Sequence, residues 1–137
     1  MAAVFALLLA LSAFAQQESR SSEVETLNAD VDRLYREGRF DEAIPLAERA
    51  LSIQERALGP DDPLVVQAIN SLAMLYRAAG DYVGAESLFE RVLEITTEAL
   101  GPRHPTIAVT INNLGMVYWE QGDRERAARY LEKALEI

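Results

Sequence analysis

The sequence predicts an all-α protein, a solenoid of antiparallel helix pairs, and three observations predict it. The chain repeats itself at a fixed offset of 42 residues, "ALGPDDP" from Ala57 returning as "ALGPRHP" from Ala99. Within each copy apolar residues recur at three- and four-residue steps, the spacing of one helix face. Gly and Pro punctuate the gaps between those faces.

The first element is the opening "MAAVFALLLALSAFAQQ", an uncharged apolar run followed by Ala13-Phe14-Ala15, a small-x-small cleavage pattern. It reads as a secretory signal peptide over residues 1–15, although no Lys or Arg precedes the run. The run falls short of the roughly 20 apolar residues that span a bilayer. Export to a periplasmic or extracellular compartment is the expectation, with the cytoplasm as the alternative if the segment is not a working signal. Residues 16–23 are polar and are expected to form a flexible leader with nothing to bury.

Three repeats follow, over about residues 24–59, 64–101 and 106–137. Sliding the chain by one period lays Ile69, Asn70, Leu72, Met74, Tyr76, Gly80, Asp81 and Ala85 onto Ile111, Asn112, Leu114, Met116, Tyr118, Gly122, Asp123 and Ala127. Self-similarity of this extent marks a repeat array. The first copy is weaker. It keeps Asn28, Gly38, Ala43 and Leu51, but its first helix has Asp30, Val31 and Leu34 where the others have Leu, a small residue and Tyr. It reads as a divergent cap.

Each copy holds two helices. In the third, Ile107, Ile111, Leu114 and Tyr118 form one face, "QGDR" breaks it, and Ala127, Leu131, Ala134 and Leu135 form the next. The small side chains of Ala43, Ala85 and Ala127 let paired helices approach closely. Between copies, Gly59 and Gly101 are expected to end a helix in the left-handed conformation, with Pro60 and Pro102 preventing continuation. Pro63 and Pro105 suit a first helical turn, and Asp62 is a good N-cap. The repeated heptad is thus a stop-and-start device for helices.

These residues resemble the tetratricopeptide repeat family: Leu72-Ala73, Tyr76, Gly80, Ala85 and Phe89 in one copy, Leu114-Gly115, Tyr118, Gly122, Ala127 and Leu131 in the next. The common form of that family repeats at about 34 residues. The longer period and "INNLGMVY" from Ile111 look more specifically like the repeats of kinesin light chains and their bacterial relatives. The resemblance implies a right-handed superhelical solenoid whose first helices line a concave groove for a peptide or partner protein.

On that implication the groove would present Asn28, Tyr35, Asn70, Met74, Arg77, Asn112, Met116 and Trp119, with Glu25, Asp32, Arg36, Gln67, Val109 and Glu120 beside them. Asn28, Asn70 and Asn112 share one register, and an amide side chain both donates to and accepts from a peptide backbone. The alternative is that each Asn satisfies a nearby turn and that Met74 and Met116 are partly core. Trp119, the only Trp, is either a contact residue or packed on the next repeat; Trp and Met favour adaptable binding surfaces. The mix of charges weakly favours a neutral or basic partner.

Composition excludes other classes. In 137 residues there are 13 Lys plus Arg against 22 Asp plus Glu, a net charge of −9, which leaves no electrostatic footprint for nucleic acid or anionic lipid. Cysteine is absent, so disulfides and thiolate chemistry are excluded. The one His, His104, stands where Asp62 stands in the previous copy and reads as a cap. Asp61 and Asp62 lie in a turn without a cleft. No base, nucleophile and metal set converge, so no enzyme, cofactor or metal is expected.

The function expected is protein binding, as an adaptor or scaffold in an exported assembly. The rival is a substrate-recruiting or regulatory segment of a larger enzyme whose catalytic domain lies outside this chain. Leu131, Ala134, Leu135 and Ile137 leave the last helix apolar. A longer array, or self-association through that end, head-to-tail stacking included, would cover it.

Overall fold

The computed structural model describes residues 1–137 as six helices without a strand. They are α1 (Ala2–Arg36), α2 (Phe40–Leu58), α3 (Pro63–Ala78), α4 (Tyr82–Leu100), α5 (Pro105–Glu120) and α6 (Arg124–Leu135). Each helix packs on the one before and the one after it. The sequence therefore folds as three helix pairs in line, as its repeat predicts.

The pairs close on small residues. Ala43, Ala85 and Ala127 are fully buried, and Ala85 and Ala127 share one core cluster with Ala73, Phe89, Leu114 and Val117. A second cluster of Leu51, Val65, Ile69, Leu72 and Val92 joins the first pair to the second. Each repeat thus lends its apolar face to its neighbour.

The turns follow the sequence with one correction. Gly59 and Gly101 do have positive φ, 90° and 84°, but their ψ values are 160° and 159°. This is the extended region that essentially only glycine enters, not the left-handed helical one. The proline that follows each glycine disfavours helical ψ and drives the backbone to extension. Pro63 and Pro105 then open α3 and α5, where Asp62 Oδ1 accepts from the Leu64 amide at 2.9 Å and His104 Nδ1 from the Thr106 amide at 3.3 Å. The turns inside the pairs end differently. At Gly80, the Asp81 amide donates back to the Tyr76 carbonyl and the Gly80 amide to Arg77, the double bond of a Schellman motif.

The N-terminus departs from expectation. Residues 16–23, expected as a flexible leader, are helical and continuous with both the apolar run and the first repeat. No Gly or Pro stands between Ala2 and Glu37, so nothing interrupts the helix. Glu23 pairs with Arg49 of α2, which fixes the end of that segment. The apolar run contributes an 18-residue stretch of mean hydropathy 1.3, none of it buried. A signal sequence and a membrane anchor share that property. Within α1, Val24, Leu27 and Leu34 are the buried residues, so its divergent repeat positions still supply a packed face.

Candidate functional site: a cleft groove along the first helices

Two clefts open between successive first helices, and both are floored by the second helix between them. The first has a volume of about 310 Å³ and lies among α1, α2 and α3, with Asn28, Asp32, Gln54 and Gln67 on its walls. The second, about 360 Å³, lies among α3, α4 and α5, with Asn70, Val92, Thr96 and Val109 on its walls. Asn28 and Asn70, Gln54 and Thr96, Gln67 and Val109 are each one period apart. The repeat therefore returns part of the same lining in both clefts, with different side chains at those positions.

A larger hollow of about 630 Å³ lies between residues 13–28 of α1 and the end of α2, and its Val24, Asn28, Ile53 and Gln54 stand one period before Val66, Asn70, Ile95 and Thr96 of the second cleft. Asn28 borders the hollow and the first cleft alike.

The predicted groove residues divide into two sets. Asn28 is exposed and Asn70 half-buried, and each reaches a cleft at its own register. Asn112 is exposed on α5 at the same register but borders neither cleft. Tyr35, Arg77 and Trp119 form a second row near the C-terminal ends of α1, α3 and α5, one period apart. Tyr35 meets the Phe40 ring edge-on at 5.3 Å. Trp119 is 55% exposed, and the Arg124 guanidinium lies 5.8 Å from its ring, within cation–π range. Met74 and Met116 are half-buried, and Met74 packs against the core cluster around Phe89.

Arg77 is not a free cation. Its Nε lies 3.7 Å from Glu120 Oε2, so the charge counted toward the groove is already paired across α3 and α5. The pair joins those helices at their C-terminal ends, opposite the second cleft, which lies along their N-terminal halves.

The recurrent tyrosines anchor the lining helices from behind. Tyr76 donates to a Glu48 carboxylate oxygen of α2, and that bond, with burial, pushes its hydroxyl up to about 12. Tyr118 donates to Glu86 Oε1 of α4 at 2.6 Å. Burial first, and then that bond, hold its hydroxyl well above the usual phenol value. Each bond ties a first helix to the preceding second helix.

Sequence reasoning placed the groove on first helices alone and missed its floor. Gln54 and Thr96, polar residues at one register on the cleft side of second helices, were the available signal. No group of three His, Asp or Glu side chains is arranged to hold a metal ion.

The comparisons agree with this architecture. The tetratricopeptide repeat model matches residues 33–96 and again residues 65–137. The chain belongs to the tetratricopeptide repeat family. Among solved structures it is similar to BtubC (BKLC) from P. vanneervenii, at 26% identity and a TM-score of 0.71 over 82% of this chain and 45% of that one. It is likewise similar to a Podosopora anserina chain described as a kinesin light chain with nearly identical TPR-like repeats, at 27% identity and a TM-score of 0.72 over 85% and 55%. The TPR domain of Arabidopsis FLU, 19% identical with a TM-score of 0.70 over 85% of this chain and 95% of that one, shares the fold. This tetratricopeptide array spans about half the length of the two kinesin light chain-like structures. No curated protein matches the sequence. Tetratricopeptide repeats are non-catalytic modules that bind proteins or peptides, and the repeats here are of the kinesin light chain-like kind.

Proposed function

We propose that this array holds an extended segment of a partner protein along α1, α3 and α5, and serves as an adaptor or scaffold in an exported assembly. The observation that carries the reading is the pair of clefts one period apart, each with an asparagine at the same register. An amide at each step gives a peptide backbone a donor and an acceptor without reading its side chains. Exposed Trp119 at the end of α5 adds an aromatic contact of the kind that concentrates binding energy. Export is supported by the apolar start of α1, which is wholly exposed and packs on nothing in the chain.

The test is a crosslinked pull-down from native envelope extract with the full chain, beside a variant carrying Asn28→Ala, Asn70→Ala and Trp119→Ala whose helix content is checked by circular dichroism. A partner captured by the native form and lost by the variant supports the groove. Equal capture by both excludes it. Fractionation of the native protein tests export separately, and recovery of the unprocessed chain in the cytoplasm would overturn that part alone.

A further inference from the structure

The hollow beside the start of α1 matches the second cleft in its apolar lining and departs from it in charge. Val24, Ile53, Ala57 and Leu58 of the hollow return one period later as Val66, Ile95, Ala99 and Leu100 of the cleft. The hollow adds two cations, Arg20 from α1 and Arg56 from the end of α2. One period later those positions hold Asp62 and Glu98, both acidic. Arg20 stands in the lining because α1 runs on upstream of Ser21, the place at which Pro63 opens α3.

Nothing in the chain neutralises the two cations. Arg20 and Arg56 are exposed and enter none of the chain's nine ion pairs, and neither does Glu25, the one carboxylate in the same lining. The first cleft has a single charged residue in its lining, Asp32, and the second a single one, Asp61. Of the three concavities, the hollow alone carries more cations than anions, in a chain whose net charge is −9. Both cations lie on the walls of one hollow, so a carboxylate seated in it is attracted by each without having to touch both.

The hollow is also unfinished in its hydrogen bonding. Gln54 Oε1 is buried without a partner and lines the hollow and the first cleft. A buried acceptor without a donor is an unmade hydrogen bond, and a backbone N–H of a bound segment would make it. Asn28 and Leu64 border both concavities too, so a segment lying in the first cleft reaches the hollow. Cleavage after Ala15 would take only Ala13 from the lining and leave both arginines in place.

We infer that the hollow is the acid-reading end of the groove: it takes an Asp or Glu of the partner segment, drawn by Arg20 and Arg56, with an adjoining Leu, Ile or Val against Val24, Ile53 and Leu58. This rests on the groove reading above and adds a charge preference opposite in sign to the one drawn from the groove residues of the sequence.

The probe is a random dodecapeptide phage library selected on the full chain held in mild detergent. In parallel it is selected on Arg20→Glu with Arg56→Glu, and on the triple alanine variant. Arg56→Glu installs the residue type that α4 carries at Glu98, and circular dichroism checks that the helices hold. The native chain should enrich an acidic residue beside an aliphatic one. Its net negative charge favours basic peptides in non-specific binding, so an acidic preference comes from the site. The charge-swapped variant should enrich Lys or Arg instead. A selected peptide should bind the native chain about tenfold more tightly than its Glu→Gln form, with no such difference on a variant carrying Arg20→Gln and Arg56→Gln.

Native-chain enrichment without an acidic preference, or with the same preference on the charge-swapped variant, overturns the inference. If those peptides still fail on the triple alanine variant, the groove reading stands without it. Peptides that bind all three proteins equally overturn both. A dimer that forms with rising concentration and is lost on charge swapping would put a second copy in the hollow and overturn the partner assignment. No enrichment at all overturns the inference, and the groove reading is then judged by the pull-down.

Discussion

Arg77 and Glu120 meet across two successive first helices, Nε to Oε2 at 3.7 Å, with side chains 22% and 31% exposed. Neither helix of either pair makes this contact alone, so the bond belongs to the array. Substituting Glu120→Gln leaves Arg77 as a free cation at the groove. A modest loss of stability, at most about 1 kcal/mol for an exposed pair of this kind, is expected in urea denaturation. The loss should shrink in about 1 M salt, where screening acts within about 3 Å. A variant as stable as the native chain at low salt would show that the pair holds nothing together.

Gly115 of α5 faces Leu131 of α6 so closely that a β-carbon at Gly115 would stand 2.9 Å from Leu131 Cδ2. Ala73, one period earlier, is tolerated opposite Phe89, and both are fully buried. The third pair is therefore the tighter one at this position. Gly115→Val should lower stability by about 1–3 kcal/mol, the usual cost of overpacking, read as a lower melting temperature by circular dichroism. Gly115→Val with Leu131→Ala should recover part of the loss.

Tyr76 gives the fold an alkaline limit. Its hydroxyl is held up to about 12 against about 10 for an unfolded tyrosine, and Tyr118 is raised as well. A folded pKa above the unfolded one contributes stability that is complete below the unfolded value and is lost as pH rises through the folded value. Urea midpoints should hold steady up to about pH 10 and fall towards pH 12. A variant with Tyr76→Phe and Tyr118→Phe should show a shallower fall over that window; an unchanged slope would mean the two hydroxyls contribute nothing to it.

Asp81 caps α4 by accepting from the Gly84 amide at 2.9 Å. Arg39, one period earlier, begins α2 with no side-chain cap. Asp81→Ala should cost about 1 kcal/mol, with faster amide hydrogen exchange confined to the first turn of α4. Uniform acceleration along the chain would instead indicate that the pairs unfold together.

Most of the fold was legible because it is written twice. A residue that returns after one period, such as Ala85 at Ala127 or Pro63 at Pro105, announces a structural position, and the alanines are indeed buried and the prolines do open helices. What the period does not pair stayed hidden. Arg77 and Glu120 are offset by one residue from the repeat, so self-alignment never sets them side by side. The ψ of Gly59 depends on Pro60, a neighbour effect that the left-handed expectation passed over. The cleft floors stayed hidden because Gln54 and Thr96 differ in kind while sharing a register, and because groove residues were sought on first helices only. Residues 16–23 read as a loose leader from their polarity, but polarity alone does not stop a helix that meets no Gly or Pro.

The single helix from Ala2 to Arg36 has a mechanical corollary. At a rise of about 1.5 Å per residue it is a rod of about 50 Å, with the apolar run at one end and the first cleft's wall at the other. As long as the apolar run stays attached, its rotation about the rod axis dictates which way the groove points. Removing one residue between Gln16 and Ser22 would swing that end by about 100° relative to the clefts, and removing four would bring it back to about 40° from its starting bearing, one turn closer. The joint between apolar run and array thus works as an indexing gear, and its tooth count is the helical turn.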